Sequence, residues 1–291
     1  MSILLLDIGG TNFRYSHVKD KKKFFIKKEK VLSNASFDQI LKNIIKDLNK
    51  PIKYIVISAA GPKIGNIIKM TNQKFVINSE RIKNKFKLKK FFLLNDLEAA
   101  SYFLNKISLK DQLVIKKGKK FNDTKILVSP GTGLGLSLLL NKNKVLPSEI
   151  GNSKIFISEL TKTYKNFTFS NISSIEDIIS GPGLENLYHM FYKERLSAKK
   201  IIELGENKEK KSSRVINVFL EIMAKFLSEI SLVYLPGNGI FLSGNLIRQL
   251  EKFISKKNFS SHFLTQVNKT HKNLVKSIQI SLVRKEHMPI Y

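Results

Sequence analysis

The chain has no cysteine and no tryptophan, only seven prolines in 291 residues, and few acids: 23 Asp and Glu against 51 Lys and Arg, a formal charge of +28. Without cysteine there is no disulfide scaffold, no thiolate metal site and no cysteine nucleophile, and a cytoplasmic protein fits that redox indifference. Long apolar runs are missing too. Ile3 to Leu6 meets Asp7 too early for a signal-peptide core, and nothing approaches the roughly 18–20 apolar residues of a spanning helix, so no membrane partner is expected. Arginine is scarce among the basic residues, with six of the 51. Base reading and bidentate phosphate capture use arginine's planar fork, so a lysine-dominated excess argues against specific nucleic-acid binding and reads as a solvated surface. What remains is ordinary: 42% hydrophobic and 25% charged residues are globular proportions, and the length suits one or two domains.

The pattern along the chain is α/β. Ile3 to Leu6 is an apolar strand, Gly9-Gly10 a turn, and Phe13 to Val18 alternates behind it, so a β-hairpin is expected at the start. Ser36 is a candidate N-cap for a helix whose buried stripe is Phe37, Ile40, Leu41, Ile44, Ile45 and Leu48. Tyr54 to Ile57 and Phe91 to Leu94 read as buried strands, the second running into a helix over Leu97 to Leu104. The periodicity lapses around Lys116-Lys117-Gly118-Lys119-Lys120. Strands are then expected at Lys125 to Ser129 and Leu134 to Leu140, a long core helix over about residues 214–235, and a strand at Ile240 to Leu242. Strand–turn–helix units in both halves imply two similar lobes, residues 1–108 and 109–291.

Three glycine-bearing turns each follow an apolar strand: Asp7-Ile8-Gly9-Gly10-Thr11-Asn12, Pro130-Gly131-Thr132-Gly133-Leu134-Gly135 and Ser243-Gly244-Asn245. Glycine lets backbone amides turn toward an anion and lets a phosphate approach the chain closely. One such turn is an ordinary hairpin feature; three at strand ends, two with a Thr hydroxyl and one with a carboxylate, point to phosphate. None is a P-loop, and the strand after Gly133 argues against a dinucleotide site, which needs a helix there. Asp96 follows a strand and opens a helix, where it is either a cap or an anion held ready to accept a proton. Of the histidines, His189 lies within a helix and reads as structural, and the others show no metal-ligand spacing.

The segments DIGGTNFR, MTNQKF, LLNDLEAASYFL, LVSPGTGLGLS, LPSEIGN, SIEDIISGPGLENLY and GIFLSGNLI occur in an order and spacing that resembles the bacterial ATP-dependent glucokinase family. The likeness runs from Ile3 to about Ile247. It implies the two-lobed actin-like ATPase (ribonuclease H-like) α/β fold with the active site in the interlobe cleft, and transfer of the ATP γ-phosphoryl group to the 6-hydroxyl of glucose or a similar hexose. By that resemblance Asp96 is the catalytic base, and Asn72, Asn95, Asp96, Glu149, Asn152 and Glu176 meet the sugar. Asp7 helps hold Mg²⁺, Gly9, Gly10, Thr11 and Asn12 cradle the phosphates with Gly131, Thr132 and Gly133 as a second clasp, and Gly244 lies on the adenosine side. A homodimer is the state common in such relatives.

The sequence also departs from the family pattern. Ile150-Gly151-Asn152 stands where the family has Gly-Gly-His, which changes reach at the sugar. Gly244-Asn245 replaces a Gly-Gly pair, adding a side chain that either crowds the base or points away. The family's C-terminal helix has no counterpart before Tyr291, so either uncovered apolar surface on the first lobe or a shifted hinge is expected. Rival readings are a catalytically weak sugar or nucleotide sensor and a polyanion binder. Asp7, Asn95, Asp96, Glu149 and Glu176 occurring together favour the enzyme.

Overall fold

The computed structural model describes residues 2–9, 12–19, 22–30, 37–49, 51–70, 76–154, 157, 172–265 and 267–291. Ser36, the candidate cap of the first helix, lies outside them. The chain divides into two compact units, residues 1–103 with 287–291, and residues 104–286.

The first unit is built on a sheet of β1 (Ser2–Ile8), β2 (Asn12–Lys19), β3 (Lys22–Lys30), β4 (Tyr54–Ala59) and β8 (Lys90–Asn95), ordered β3-β2-β1-β4-β8. α1 (Phe37–Asp47) precedes β4, and the small strands β5 (Lys63–Ile64), β6 (Ile67–Lys69) and β7 (Val76–Asn78) form a separate three-stranded sheet leading into α2 (Ser79–Lys85). α3 (Asp96–Phe103) follows β8 without a break. Strand periodicity sorts β1 into two faces: Leu4, Leu6 and Ile8 are buried with Leu41 and Ile44 of α1 in one core, so Asp7 falls on the other face. β1, β4 and β8 are parallel and in step, Ile8 beside Ala59 and Ala59 beside Asn95, so Gly9 and Asp96 leave the sheet at one edge. The carboxyl ends of parallel strands are where open α/β sheets take their ligands.

The second unit repeats the plan. Its sheet contains β9 (Gln112–Lys116), β10 (Lys125–Pro130), β11 (Leu134–Leu140), β12 (Lys144–Ser148), β13 (Ile240–Leu242) and β14 (Ile280–Val283), in the order β12-β11-β10-β13-β14-β9. An antiparallel meander, then two parallel strands, is the order of the first sheet as well; β9 is an added antiparallel edge. The helices are α4 (Gly181–Tyr192), α5 (Ala198–Glu206), α6 (Lys210–Tyr234), α7 (Asn245–Gln249), α8 (Lys256–Leu264) and α9 (Lys269–Lys276). α6 buries Phe219, Met223, Phe226 and Ile230 in the core. It starts a turn earlier than the apolar pattern indicates because the Glu209 carboxylate accepts from Lys211 N–H (2.9 Å) and Ser212 N–H (2.6 Å), satisfying amides at the helix start.

Two features depart from expectation. The C-terminal turn, Met288–Ile290, returns to the first unit and buries Met288 and Ile290 there, with the Tyr291 ring 6.2 Å from that of Phe103, so apolar surface of α3 is covered by a short turn. The lysine excess is not wholly a solvated face either. Lys116 is only 6% exposed, its ammonium donating to the carbonyls of Lys276 and Ile278 (both 2.6 Å), and Lys225 is buried on α6 with Glu221 at 2.6 Å. Among the described residues no helix is long and apolar enough to cross a membrane.

Candidate active site

Of the residues singled out in the first unit, Gly10, Thr11 and Asn72 lie outside the described residues, and Asn12 is described only as backbone opening β2. The rest cluster at the carboxyl edge of the sheet. Asp7 faces Ser58 on β4 and Arg14 on β2 across the strand register, and both reach it: Ser58 Oγ donates to Oδ1 at 3.1 Å and the Arg14 guanidinium stands 3.6 Å from Oδ2. Burial pushes the Asp7 carboxyl above the usual carboxylate range, with Ser58 and Arg14 pulling the other way. The Arg14 Nε–H is buried without an acceptor. Ser58 and Arg14 are neighbours of Asp7 that the letters did not single out, since their meeting with it depends on pairing between strands up to 51 residues apart.

Asn95 and Asp96 sit where β8 becomes α3. Asn95 Nδ2 donates to the Gly61 carbonyl (2.9 Å) while its Oδ1 accepts from Leu97 N–H (2.9 Å), so one side chain caps the helix and ties it to the loop after β4. Glu98 reaches back to Asn95 N–H at 3.2 Å and pairs with Lys63 at 3.3 Å. This return bond is the carboxylate half of a capping box. Asp96 Oδ1 accepts from Leu97 N–H at 2.9 Å, so the carboxylate is oriented by the first turn of α3. Helix-terminal amides favour its anion, the form a general base needs.

In the second unit the Gly131-Thr132-Gly133 turn joins β10 to β11 and closes on itself through Gly131 N–H to Gly133 O at 2.8 Å. It is braced from outside. Gly181 N–H donates to Gly131 O (2.7 Å), and Glu176 Oε2 accepts from Leu134 N–H (3.1 Å). A Cβ at Gly133 would lie 2.6 Å from that same carboxylate oxygen, so a side chain there would displace the Glu176 carboxylate. Glu176 is held in a 3₁₀ turn, Ile175–Asp177, closed by the Ser174–Asp177 capping box, and Ser180 Oγ donates to its carbonyl at 2.6 Å.

Glu149 and Asn152 bracket a second 3₁₀ turn, Ile150–Asn152, with Asn152 Nδ2 donating to Glu149 Oε2 at 3.4 Å. Gly151 packs so tightly under the end of β11 that a Cβ would lie 2.2 Å from Leu134 O. Ile175 N–H donates to Ser153 O at 2.9 Å. Glu176 is thus bonded to Leu134, the residue leaving the glycine turn, and the turn that follows Glu149 packs against the same residue through Gly151. Gly244, at φ +101°, is required twice over: the conformation is left to glycine, and a Cβ would stand 3.0 Å from Pro130 O and Ser129 Oγ. Asn245 opens α7 with its side chain exposed.

The second unit therefore gathers a glycine turn, two carboxylates and an amide around one strand end. The first places Gly9 and two carboxylates, Asp7 and Asp96, at one sheet edge. Among the described residues no three His, Asp or Glu side chains assemble into a metal cage. Magnesium does not need one, being held commonly by one or two carboxylates together with substrate phosphates and water. A buried, electrostatically costly carboxylate such as Asp7 suits that cation.

The glucokinase family model matches residues 4–291. A glucokinase of Photorhabdus laumondii is 26% identical over 299 residues, covering 96% of this chain and 92% of its own. Among solved structures, a glucokinase from an Antarctic psychrotroph superposes with a TM-score of 0.85 at 21% identity, covering 99% of this chain and 96% of that one. A ROK family glucokinase from Streptomyces griseus, solved in complex with glucose and AMPPNP, superposes with a TM-score of 0.62 at 13% identity over 95% and 98% of the two chains.

Proposed function

Because the chain belongs to the glucokinase family, we propose that it is an ATP-dependent glucokinase, transferring the γ-phosphoryl group of ATP to the 6-hydroxyl of glucose, in the cytoplasm. The observation that carries the reading is the position of Asp96: first residue of α3, at the carboxyl edge of three parallel strands, its carboxylate oriented by Leu97 N–H. In this role Asp96 accepts the proton of the sugar hydroxyl as that oxygen attacks phosphorus; general-base help of this kind contributes about 10²–10⁴-fold.

The other residues position and neutralise. Gly9, Gly10, Thr11 and Asn12 in one unit and Gly131, Thr132 and Gly133 in the other present amides and hydroxyls to the phosphates, and Gly244 leaves room on the adenosine side. Asn72, Asn95, Glu149, Asn152 and Glu176 bind sugar hydroxyls, carboxylates accepting and amides doing both. Mg²⁺, when bound, supplies charge neutralisation on the transferred phosphates, and Asp7 is the side chain that would hold it. Asn152 carries a shorter, neutral amide where the family has histidine, and it stands against Glu149 as a bonded pair.

The test is ADP release with a hexose panel, ATP and Mg²⁺. Glucose-dependent turnover in the wild type, lost by at least 10²-fold in Asp96→Asn with glucose affinity kept within a few-fold, is the expected outcome. No sugar-dependent ADP release at millimolar glucose would sink the enzyme, and an Asp96→Asn protein of undiminished turnover would sink the base.

A further inference from the structure

The basic stretch that interrupts the apolar pattern, Lys117-Gly118-Lys119-Lys120-Phe121-Asn122-Asp123-Thr124-Lys125, has no part in that reaction, yet it is not a loose surface loop. Lys119 N–H donates to Ser277 O (2.7 Å) and Phe121 N–H to Gly237 O (3.1 Å). The Asn122 side chain accepts from Gly237 N–H (2.8 Å) and Thr124 N–H (3.0 Å) while donating to Leu235 O (2.7 Å). Gly118 presses against the segment before β14, where a Cβ would lie 2.3 Å from Gln279 N and Ser277 O. The strap is thus bonded to the end of α6 on one side and to the approach to β14 on the other.

Behind the strap is a cavity of about 270 Å³, its polar lining including Gln112, Lys119, Lys120, Lys125, Asn238 and Gln279. It sits at the amino ends of β10 and β13. The glycine turn at Gly131 and Gly244 sit at their carboxyl ends, so β10 alone separates cavity from turn by roughly 16 Å at about 3.3 Å per residue. Three lysines and no acidic residue line it. Lys120 is paired with Asp123, and Lys125 donates to Leu104 O (2.7 Å). Burial, with Lys120 and Lys142 nearby, holds the Lys125 ammonium below the usual lysine range, a cost that a bound anion relieves.

We infer that this cavity is a second anion site, distinct from the phosphate turns, that takes a small hydroxylated phosphate monoester of triose- to hexose-phosphate size. The lysines supply the charge complement of a phosphate dianion, and the amide side chains of Gln112, Asn238 and Gln279 are the partners for the ligand's hydroxyls. The volume lies just below the roughly 300–1,000 Å³ of pockets for drug-sized ligands, which suits a small ester.

The experiment is titration calorimetry on the full chain at about 150 mM salt, an ionic strength that screens nonspecific attraction to surface lysines. The probes are glucose 6-phosphate, glycerol 3-phosphate, inorganic phosphate and free glucose, with wild type, Lys119→Gln, Lys125→Gln and Gln112→Leu. Saturable binding of both sugar phosphates, at least tenfold weaker in Lys119→Gln and Lys125→Gln, is expected, with glucose-dependent ATP turnover of Lys119→Gln unchanged. Lys119→Gln retains the backbone bond to Ser277 and guards against a folding defect in Lys125→Gln. Gln112→Leu should bring the sugar phosphates down to the affinity of inorganic phosphate. Binding of both sugar phosphates that is indifferent to all three substitutions, or absent in the wild type, overturns the site, and inorganic phosphate binding as tightly as the esters in the wild type overturns the hydroxyl requirement. Turnover is read separately, so a failed second site and a failed kinase are distinct results.

Discussion

Replacing Gly133 by alanine would put a methyl carbon 2.6 Å from Glu176 Oε2 and 3.5 Å from its Cδ, closer than nonbonded carbon and oxygen can stand. Backbone on either side is tied down, Gly131 by Gly181 N–H and Leu134 by its place in β11, so the group that moves is the carboxylate. Moving it breaks the 3.1 Å bond from Leu134 N–H. Hydrogen bonds to a charged group are worth about 1.5–3 kcal/mol, roughly a ten- to hundredfold change in an equilibrium constant. If Glu176 is a sugar ligand, that loss appears in glucose affinity measured without nucleotide, by calorimetry or quenching. Gly131→Ala is the control: nothing lies within 4 Å of a Cβ there, so glucose affinity should stay within about twofold even if nucleotide affinity falls. A Gly133→Ala protein that binds glucose as tightly as wild type refutes the link between turn and glutamate, and a Gly131→Ala protein equally impaired for glucose refutes the steric cause.

Three further substitutions probe the supports. Gly151→Ala forces a Cβ against Leu134 O at 2.2 Å, backbone that cannot swing aside; a loss of about 1–3 kcal/mol, seen as a lower melting temperature, is expected, and an unchanged one contradicts the packing. Asn95→Asp keeps the cap bond from Leu97 but turns the donor facing Gly61 O (2.9 Å) into an acceptor, so both melting temperature and turnover should fall, with unaltered values refuting that bond's role. Lys116 is held at a pKa of about 8 by burial and, secondarily, by Lys276. Its folded pKa lies below the unfolded lysine value of 10.5, so between about pH 8 and 10.5 the unfolded state binds more protons, and this group's contribution to stability rises with pH. Lys116→Met, which leaves the Lys276 and Ile278 carbonyls without their donor, should therefore lose more relative to wild type at pH 10 than at pH 7; a pH-independent gap in melting temperature counts against the shifted lysine.

Much of the local structure was legible because its causes are local. Alternation around Leu4, Leu6 and Ile8 marks a half-buried strand wherever the chain goes, and Asp96 directly after an apolar strand marks a helix start. The α6 boundary shows the limit of pattern reading: the apolar stripe begins near Val215, but the Glu209 cap extends the helix back to Lys210. Capping depends on side-chain geometry that hydrophobic periodicity does not record. Lys116 and Lys225 were hidden for a similar reason, since a lysine is buried when carbonyls or a carboxylate happen to converge on it, and composition carries no trace of that.

The sequence by itself determined the α/β class, the repeated strand–turn–helix plan, the glycine turn at residues 131–133 and, through its motifs, the family. Tertiary structure decided which groups act together. Asp7 meets Ser58 and Arg14 through strand register, Glu176 meets Leu134 across 42 residues of chain, and the last residues return to cover α3. Hydrogen bonds and packing between distant segments depend on how the strands pair, and pairing is a property of the whole fold that no window of residues contains. The same holds for the basic strap over residues 117–125: its letters read as a solvated interruption, and only its bonds to Gly237 and Ser277 turn it into the wall of a cavity.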